Sequence, residues 1–525
     1  MSKKVLLFGS ILFVLILLLM LTWFPIKTEA QASVLPPLSS NIKYVPCSRL
    51  ALSADPSLTC AYVAVPEDHF DPDNDETIRI AVAVVKASSS NPQPDPVIYL
   101  QGGPGQSSVD IALPLTKYFL GLEHASRDIV YIDQRGVGRS TPNLSCYAEL
   151  EPFVLEAWKP PYTDEKFVDQ YFTSLRACIE RLKAQGITLS AYTSAQNAAD
   201  IIAVAKALGY EQQINLYGIS YGARLALTIL RDFGDTGYIR SAVIGGVYGP
   251  EANALEFAIN LHQRTELLFD ACEKDAACNQ AYPDLRARFY AFVAQLDQNP
   301  LTLDVTLPTG HTIKAQADEM ALYYYLFKQF VIGQTVIGQL PQQLDAILST
   351  AQDLGNTAIL AQGIHGQAND LLYGQNLGMN TLVQCQEEFL LLTPQEIAYA
   401  ERNTPAQSYG FVLRFQESSL RYPEFCASLG LQPTNPIEAQ AVTSNIPTLV
   451  ISGRFDPLTP PEWANRSTAA FPNRYIYTLE NAGHDSAAAY NCAQPMVHDF
   501  FTNPTQAPNS ACVAQQTIQF ALPGQ

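Results

Sequence analysis

Charge is scarce in this chain, and positive charge scarcer still. Only 16% of its 525 residues are charged, with 32 Lys and Arg against 50 Asp and Glu, a formal net charge of -18. A phosphate backbone rewards clustered Lys and Arg, so a nucleic-acid partner is excluded; the acidity suits the solubility of an exposed protein. Metal-ligand spacing is missing too. There is no CxxC pair and no HxxxH cluster, so nothing indicates a zinc site and the metal expectation is none. The GxxxxGK[ST] pattern is absent, which removes phosphate-loop nucleotide binding.

Long apolar runs are confined to the start. Lys3 and Lys4 precede the run Val5 to Phe24, and Ala30-Gln31-Ala32 offers a small-x-small cleavage site before Ser33. Residues 1–32 therefore read as a secretory signal peptide. At about 20 residues the run is also long enough to span a bilayer, so an uncleaved anchor outside the cell is the alternative, and membrane association is expected only in that case. No cysteine follows the run that could carry a lipid. Cysteine usage fits export: Cys47, Cys60, Cys146, Cys178, Cys272, Cys278, Cys385, Cys426, Cys492 and Cys512 are even in number and scattered along the chain, as in a disulfide-bonded exported protein. Five sequential bridges, closing short loops, are the expectation; spacing alone leaves other connectivities open.

With 47% hydrophobic residues, the chain is long enough for two packed units. The segment Ser33 to Ser40 reads as a flexible lead-in. Ala61–Val65 and Thr77–Lys86 read as an antiparallel strand pair about the acidic turn Asp71 to Asp75, and Val97–Leu100, Asp128–Ile132, Gln213–Tyr217 and Ala242–Gly246 as buried strands. Helical spacing over 171–184 and 194–208 alternates with them, which implies a largely parallel sheet covered on both faces. From residue 249 to 445 the character changes. The segments 251–268, 283–296, 315–330 and 340–352 read as helices, giving an inserted helical unit between a core made of 33–248 and 446–525. Strand character returns at Thr448–Ser452 and Tyr475–Leu479.

The chemistry gathers at strand ends. Gly218-Ile219-Ser220-Tyr221-Gly222 lies where a strand gives way to an alanine- and leucine-rich helix, the context of a nucleophile elbow, with Ser220 as nucleophile. Gln101-Gly102-Gly103-Pro104-Gly105 follows the Val97–Leu100 strand, where the backbone N–H groups of Gly103 and Tyr221 are the expected oxyanion-hole donors. Asp133-Gln134-Arg135 follows the next strand; Asp133 and Arg135 are read as bracing that loop, by pairing or hydrogen bonding. Asp456 and then His484 follow the two C-terminal strands, completing the order Ser, Asp, His. Asp456 would orient His484, and His484 would relay the Ser220 proton. Of seven histidines only His484 and His498 follow Asp456, and His498 lies in a terminal helix with Val497 and Phe501 on its apolar face, where a structural role is expected. Asp485 is too close to His484 in sequence to face the same ring.

The motifs at 100–105, 133–140 and 218–222 together resemble the proline iminopeptidase and tripeptidyl aminopeptidase branch of the α/β-hydrolases. The family pattern commonly has His where this chain has Gln101. The resemblance implies an α/β-hydrolase fold with an inserted helical cap, no cofactor, and hydrolysis of peptides bearing a free N-terminus through an acyl-enzyme. It further implies that acidic cap residues hold the substrate's α-amino group. Glu387 and Glu388 are the candidates and Glu251 a lesser one; the competing expectation is that both are solvated on a helix. A carboxylesterase with the same triad is the enzymatic alternative, and a catalytically silent hydrolase-like binding protein the alternative from another class.

Overall fold

A strand with no polar face must be covered on both sides. Val97–Leu100 (β4), Ile129–Ile132 (β5), Ile214–Ile219 (β6) and Thr448–Gly453 (β10) are buried at every position. In the structure, a computed structural model that describes residues 41–115, 120–350, 357–403, 411–484 and 491–524, they form the middle of a nine-stranded sheet. The other members are Ile42–Val45 (β1), Leu58–Pro66 (β2), Thr77–Val85 (β3), Ile239–Gly245 (β7) and Arg474–Leu479 (β11), in the order β1-β2-β3-β5-β4-β6-β7-β10-β11. The pairs β1/β2, β2/β3 and β3/β5 are antiparallel, and every later pair is parallel. This is the α/β-hydrolase fold, a mostly parallel sheet covered on both faces.

Period-two alternation sorts the apolar side chains between two cores. On one face Ile98, Leu100, Val130, Leu216, Ile244 and Val450 pack beneath the helices Ser194–Ala207 and Tyr221–Phe233. On the other, Val97, Tyr99, Tyr131, Tyr217, Val243 and Ile451 meet Met496, Val497, Phe500 and Phe501 of the helix Ala493–Thr502. Ser40–Gln525 clusters as one compact unit.

Between β7 and β10 lies the inserted cap. It is not wholly helical: Leu301–Thr306 (β8) and Thr312–Ala317 (β9) form an antiparallel hairpin. The helix expected over 315–330 runs instead from Glu319 to Ile332, capped by the Asp318 side chain accepting from Met320 N–H. Alternation explains the difference. In β8 the outward Thr302, Asp304 and Thr306 are exposed while Leu303 and Val305 are buried, a short period-two stretch closed by the Pro308-Thr309-Gly310 turn. The helix expected from Glu251 starts later, at Phe257. The edge strand β1 lies just after the expected lead-in, a strand that the apolar pattern does not announce.

The five disulfides are sequential: Cys47–Cys60, Cys146–Cys178, Cys272–Cys278, Cys385–Cys426 and Cys492–Cys512. No described helix is long and apolar enough to cross a membrane; the apolar run Val5 to Phe24 and the lead-in to Ser40 lie outside the described residues. Cys146–Cys178 closes a 32-residue separation, for which chain entropy predicts roughly 3–4 kcal/mol of stabilisation. Replacing both cysteines by serine should lower the unfolding free energy by about that amount in denaturant titration.

Candidate active site

Ser220 lies between the end of β6 and the helix Tyr221–Phe233, at φ 60° and ψ -126°. A side-chain-bearing residue holds such a conformation only where its surroundings force it. The forcing contacts are backbone to backbone. Ser220 N–H donates to Gly245 O at 3.0 Å. A Cβ on Gly218 would stand 2.3 Å from Gly222 O, and one on Gly222 only 1.9 Å from Leu100 O. Glycine at both positions thus lets strand, helix and neighbouring strand close on the serine, as a nucleophile elbow requires. Ser220 itself stays half-buried. Gly102 faces it: a Cβ there would lie 3.5 Å from Ser220 Oγ.

Asp456 and His484 come from neighbouring parallel strands. Register pairs Gly453 of β10 with Leu479 of β11, so the loops leaving both strands emerge side by side. His484 Nδ1 sits 2.9 Å from Asp456 Oδ2 and 3.0 Å from Oδ1. Asp456 is wholly buried and His484 nearly so. Burial alone would raise the Asp456 carboxyl, yet His484 and the Thr459 N–H and hydroxyl outweigh it and hold it below the usual carboxylate value. Gly246, at φ 49°, ties this pair to the elbow: a Cβ there would meet His484 Nδ1 at 3.2 Å and Thr459 Oγ1 at 3.1 Å, while the adjacent Gly245 carbonyl holds Ser220. Ser220, Asp456 and His484 therefore share the C-terminal edge of the sheet, where open α/β sheets place their ligands.

Sequence reasoning missed Thr459. Its hydroxyl donates to Asp456 Oδ2 at 2.7 Å and lies 3.0 Å from His484 Nδ1, while its N–H and that of Leu458 donate to Asp456 Oδ1 at 2.8 and 2.9 Å. An aspartate accepting from backbone N–H groups two and three residues on is an Asx turn, so the Asp-Pro-Leu-Thr spacing held the signal.

Gly103, at φ 112°, lies in the loop that packs against Ser220. Tyr221 supplies the first N–H of the elbow helix. Neither N–H is donated to another described residue. Beside them Gln101 supports the loop, its carbonyl accepting from Gln134 Nε2 and its Nε2 donating to Gln106 Oε1, each at 2.8 Å.

The cap glutamates are not solvated. Glu387 and Glu388 lie in a π-helical turn, Cys385–Phe389, and are buried. Arg224, one turn along the elbow helix from Ser220, reaches both: Nε to Glu387 Oε2 at 3.1 Å and Nη1 to Glu388 Oε1 at 3.6 Å. Glu387 also accepts from Ser194 N–H and from the Ser194 hydroxyl. With both oxygens occupied, Glu387 is an ion-pair partner of the helix Tyr221–Phe233 with no oxygen left for an amine, against the expectation that it binds one. Glu388 accepts from the Tyr248 hydroxyl and from Ala254 N–H through Oε2, but its Oε1 has no hydrogen bond. Burial pushes the Glu388 carboxyl up to about 7, against the lowering pull of Arg224 and Tyr248, and raises Glu387 as well. Glu251 accepts from the Ser467 hydroxyl at 2.6 Å.

Asp133 and Arg135 brace the site through separate partners rather than with each other. Asp133, wholly buried, accepts from the Ser107 hydroxyl, Val109 N–H and Arg139 N–H. Burial pushes its carboxyl up to about 6 despite those donors. Arg135 forks onto Asp200 at 2.8 Å through Nε and Nη2, and His69 joins the same carboxylate at 2.7 Å. His498 faces Glu123 at 3.5 Å. A cleft of about 700 Å³ at the opposite ends of β4, β6 and β7 is lined by Asp95, Arg127, Arg240 and His498. Its arginines are already paired with Asp95, at 3.1 and 3.3 Å, and it is remote from Ser220.

Residues 95–327 match the family model described as alpha/beta hydrolase fold, and residues 413–512 the model described as TAP-like protein. The chain is 23% identical over 454 residues to the serine protease Hip1 of Mycobacterium tuberculosis, spanning 81% of this chain and 82% of the relative. It is 26% identical over 471 residues to carboxylesterase B of the same organism, spanning 86% and 85%. Among solved structures, the proline iminopeptidase-related protein of Thermus thermophilus aligns over 84% of this chain and 96% of its own, at 16% identity and a TM-score of 0.34.

Thr459→Val keeps the volume and deletes the hydroxyl between Asp456 and His484. A hydrogen bond to a charged group is worth about 1.5–3 kcal/mol, so kcat on any accepted substrate should fall roughly 10- to 100-fold, with Thr459→Ser recovering most of it; a kcat within twofold of native for the valine variant would remove Thr459 from the constellation.

Proposed function

We propose that this chain, which has the α/β-hydrolase fold and matches the TAP-like model over residues 413–512, is a serine aminopeptidase acting on peptides with a free N-terminus. The observation that carries the hydrolytic part is the strained Ser220 set at the same sheet edge as the buried Asp456–His484 pair. In this reading Ser220 Oγ attacks the scissile carbonyl while His484 takes its proton, and Asp456 stabilises the imidazolium that forms. The Gly103 and Tyr221 N–H groups hold the oxyanion. His484 then protonates the departing amine, and water activated by the same imidazole releases the acyl group from Ser220. None of these steps calls for a cofactor.

Specificity for a chain end needs an anion to pair with the ammonium, and in this reading Glu388 receives it through Oε1, which has no hydrogen bond and, among the described residues, faces only Arg224 Nη1, at 3.6 Å. Five disulfides and the apolar N-terminal run support a location outside the cytoplasm, with the run either cleaved after Ala32 or kept as an anchor. The similarity to a carboxylesterase, 26% over 471 residues, favours ester hydrolysis as the second reading.

A matched set of substrates separates the two: free-amino Pro, Ala and Ala-Ala-Pro arylamides, their N-acetyl forms, and an aryl ester. Cleavage of free-amino arylamides but not acetylated ones is expected, and cleavage of the ester alone would replace the peptidase reading with the esterase one. Ser220→Ala should reduce turnover by a factor on the order of 10⁶; turnover kept by the variant would remove Ser220 as nucleophile, and a native chain that cleaves none of these substrates would point to the hydrolase-like binder instead.

Glu388 attracts an ammonium only when ionised. Its carboxyl is raised to about 7, so the group is neutral below that pH and anionic above it. The preference for free-amino over acetylated substrate should therefore grow as pH rises through about 7, and Glu388→Gln should abolish that growth; an unchanged pH dependence of the ratio in the glutamine variant moves the amine site elsewhere.

A further inference from the structure

The loop that carries the Gly103 N–H is held on its inner side by the core: Gln106 N–H donates to Gly102 O at 3.3 Å, and Gln134 holds the Gln101 carbonyl. Its outer side is held by the cap. The cap helix Leu377–Gln384 begins directly above it. Asn376 N–H donates to Gly105 O at 2.8 Å, and Asn380 Nδ2 to Pro104 O at 3.3 Å. The two backbones approach so closely that a Cβ on Gly105, itself at φ 104°, would stand 2.6 Å from Asn376 O. The Asn376 side chain adds two more ties, its Nδ2 donating to Gly136 O at 3.0 Å and Asn143 Oδ1 at 2.9 Å. Its Oδ1 meanwhile caps the helix by accepting from Met379 N–H at 3.1 Å. Two residues on, Gly378 lies flat against the Leu144 carbonyl, where a Cβ would be 2.0 Å away.

One end of this helix is thus fixed to the loops after β4 and β5. The other end is fixed as firmly. It runs into the Cys385–Phe389 turn, which is bridged to Cys426 and ion-paired through Glu387 to Arg224 of the nucleophile helix. A helix pinned at both ends to catalytic loops holds them at a set spacing. An oxyanion donor acts only when aimed to within a fraction of an ångström.

We propose that Asn376 and Asn380 are positioning residues for the oxyanion loop, so that the cap completes the catalytic geometry instead of only covering it. The proposal rests on Ser220 as nucleophile. The cap helix fixes the directions of the Pro104 and Gly105 carbonyls, and thereby where the neighbouring Gly103 N–H points.

The test uses the full mature chain, 4-nitrophenyl acetate as substrate, and a simple aryl boronic acid that forms a tetrahedral adduct with the serine. Asn376→Ser keeps a helix-capping oxygen and the backbone N–H on Gly105 O but removes the amide that anchors this end of the helix to Gly136 O and Asn143 Oδ1, and Asn380→Ala removes the amide over Pro104. In the double variant kcat/KM should fall tenfold or more, with the loss in kcat rather than KM, and boronate affinity should weaken by the same factor. A merely structural role would lower the thermal midpoint without moving boronate affinity. Affinity within twofold of native, or a loss carried entirely by KM, overturns the proposal. Should the double variant fail to fold, Asn380→Ser alone is read by the same two measurements, with a loss of about threefold expected and an unchanged boronate affinity counting against it. Ser220→Ala separates this proposal from the reading beneath it: if that variant stays active both fall, whereas an inactive Ser220→Ala beside a native-like Asn376→Ser/Asn380→Ala sinks only the positioning role.

Discussion

Everything in the site hangs on one crowded junction of backbone. The Leu100 carbonyl, Gly218 and Gly222 meet with no room for a β-carbon at either glycine, and Ser220 is left in a positive-φ conformation that only such crowding can hold. This junction joins β4, β6 and the helix Tyr221–Phe233 in a single contact. It fixes three things together: the direction of the Ser220 hydroxyl, the position of the Tyr221 N–H, and the closeness of the glycine-rich loop after β4. The sheet core on either face supplies the stability that sustains the strain, since apolar burial is the dominant favourable term in folding.

The buried Arg224 cluster depends on the same helix. Two carboxylates and one guanidinium, all nine-tenths or more buried, form a costly arrangement, because desolvating charges offsets much of their attraction. Removing one partner of such a pair leaves an uncompensated charge and costs roughly 3–5 kcal/mol. Apolar residues of similar size would stabilise the interface as well, without fixing which turn of the cap meets which turn of the helix. The guanidinium does fix it, and Ser194, Tyr221 and Tyr248 add directional bonds around it. The raised Glu388 carboxyl follows from the same burial.

The core was legible because its strands have unambiguous patterns. Val97–Leu100 stands in the sequence with the bounds it has in the sheet, and the elbow, the glycine-rich loop, Asp456 and His484 each follow a strand whose apolar run announces it. The disulfides are the sequential set that was expected, although spacing left other connectivities open and two of the five close separations of 32 and 41 residues. The cap was read less well. Its hairpin is only six residues a side, short enough for Ala315 and Ala317 to pass as helix formers. Glu387 and Glu388 look like any exposed acidic pair until Arg224, 163 residues upstream of Glu387, is seen to lie beneath them. Asp133 and Arg135 were correctly suspected of bracing, but their partners, Ser107 and Asp200, could not be inferred from proximity in the chain. Contacts specified by local pattern were readable; contacts between distant polar residues were not, because no periodicity encodes them.

That division has a physical basis that also separates stability from function here. Hydrophobic burial is non-directional and tolerates small shifts, so a pattern of apolar residues is enough to place a strand in a sheet. Catalytic groups need placement to within about half an ångström, and apolar packing of an inserted region does not provide that by itself. The cap meets the catalytic loops chiefly through directional contacts: Asn376 and Asn380 on the loop after β4, Glu387 on the nucleophile helix, and Glu388 on Tyr248 after β7. Each such bond adds little net free energy. Together they convert an inserted helical region into part of the framework, so that a segment 376–388 held at both ends cannot swing away as a unit without breaking the contacts that aim the site.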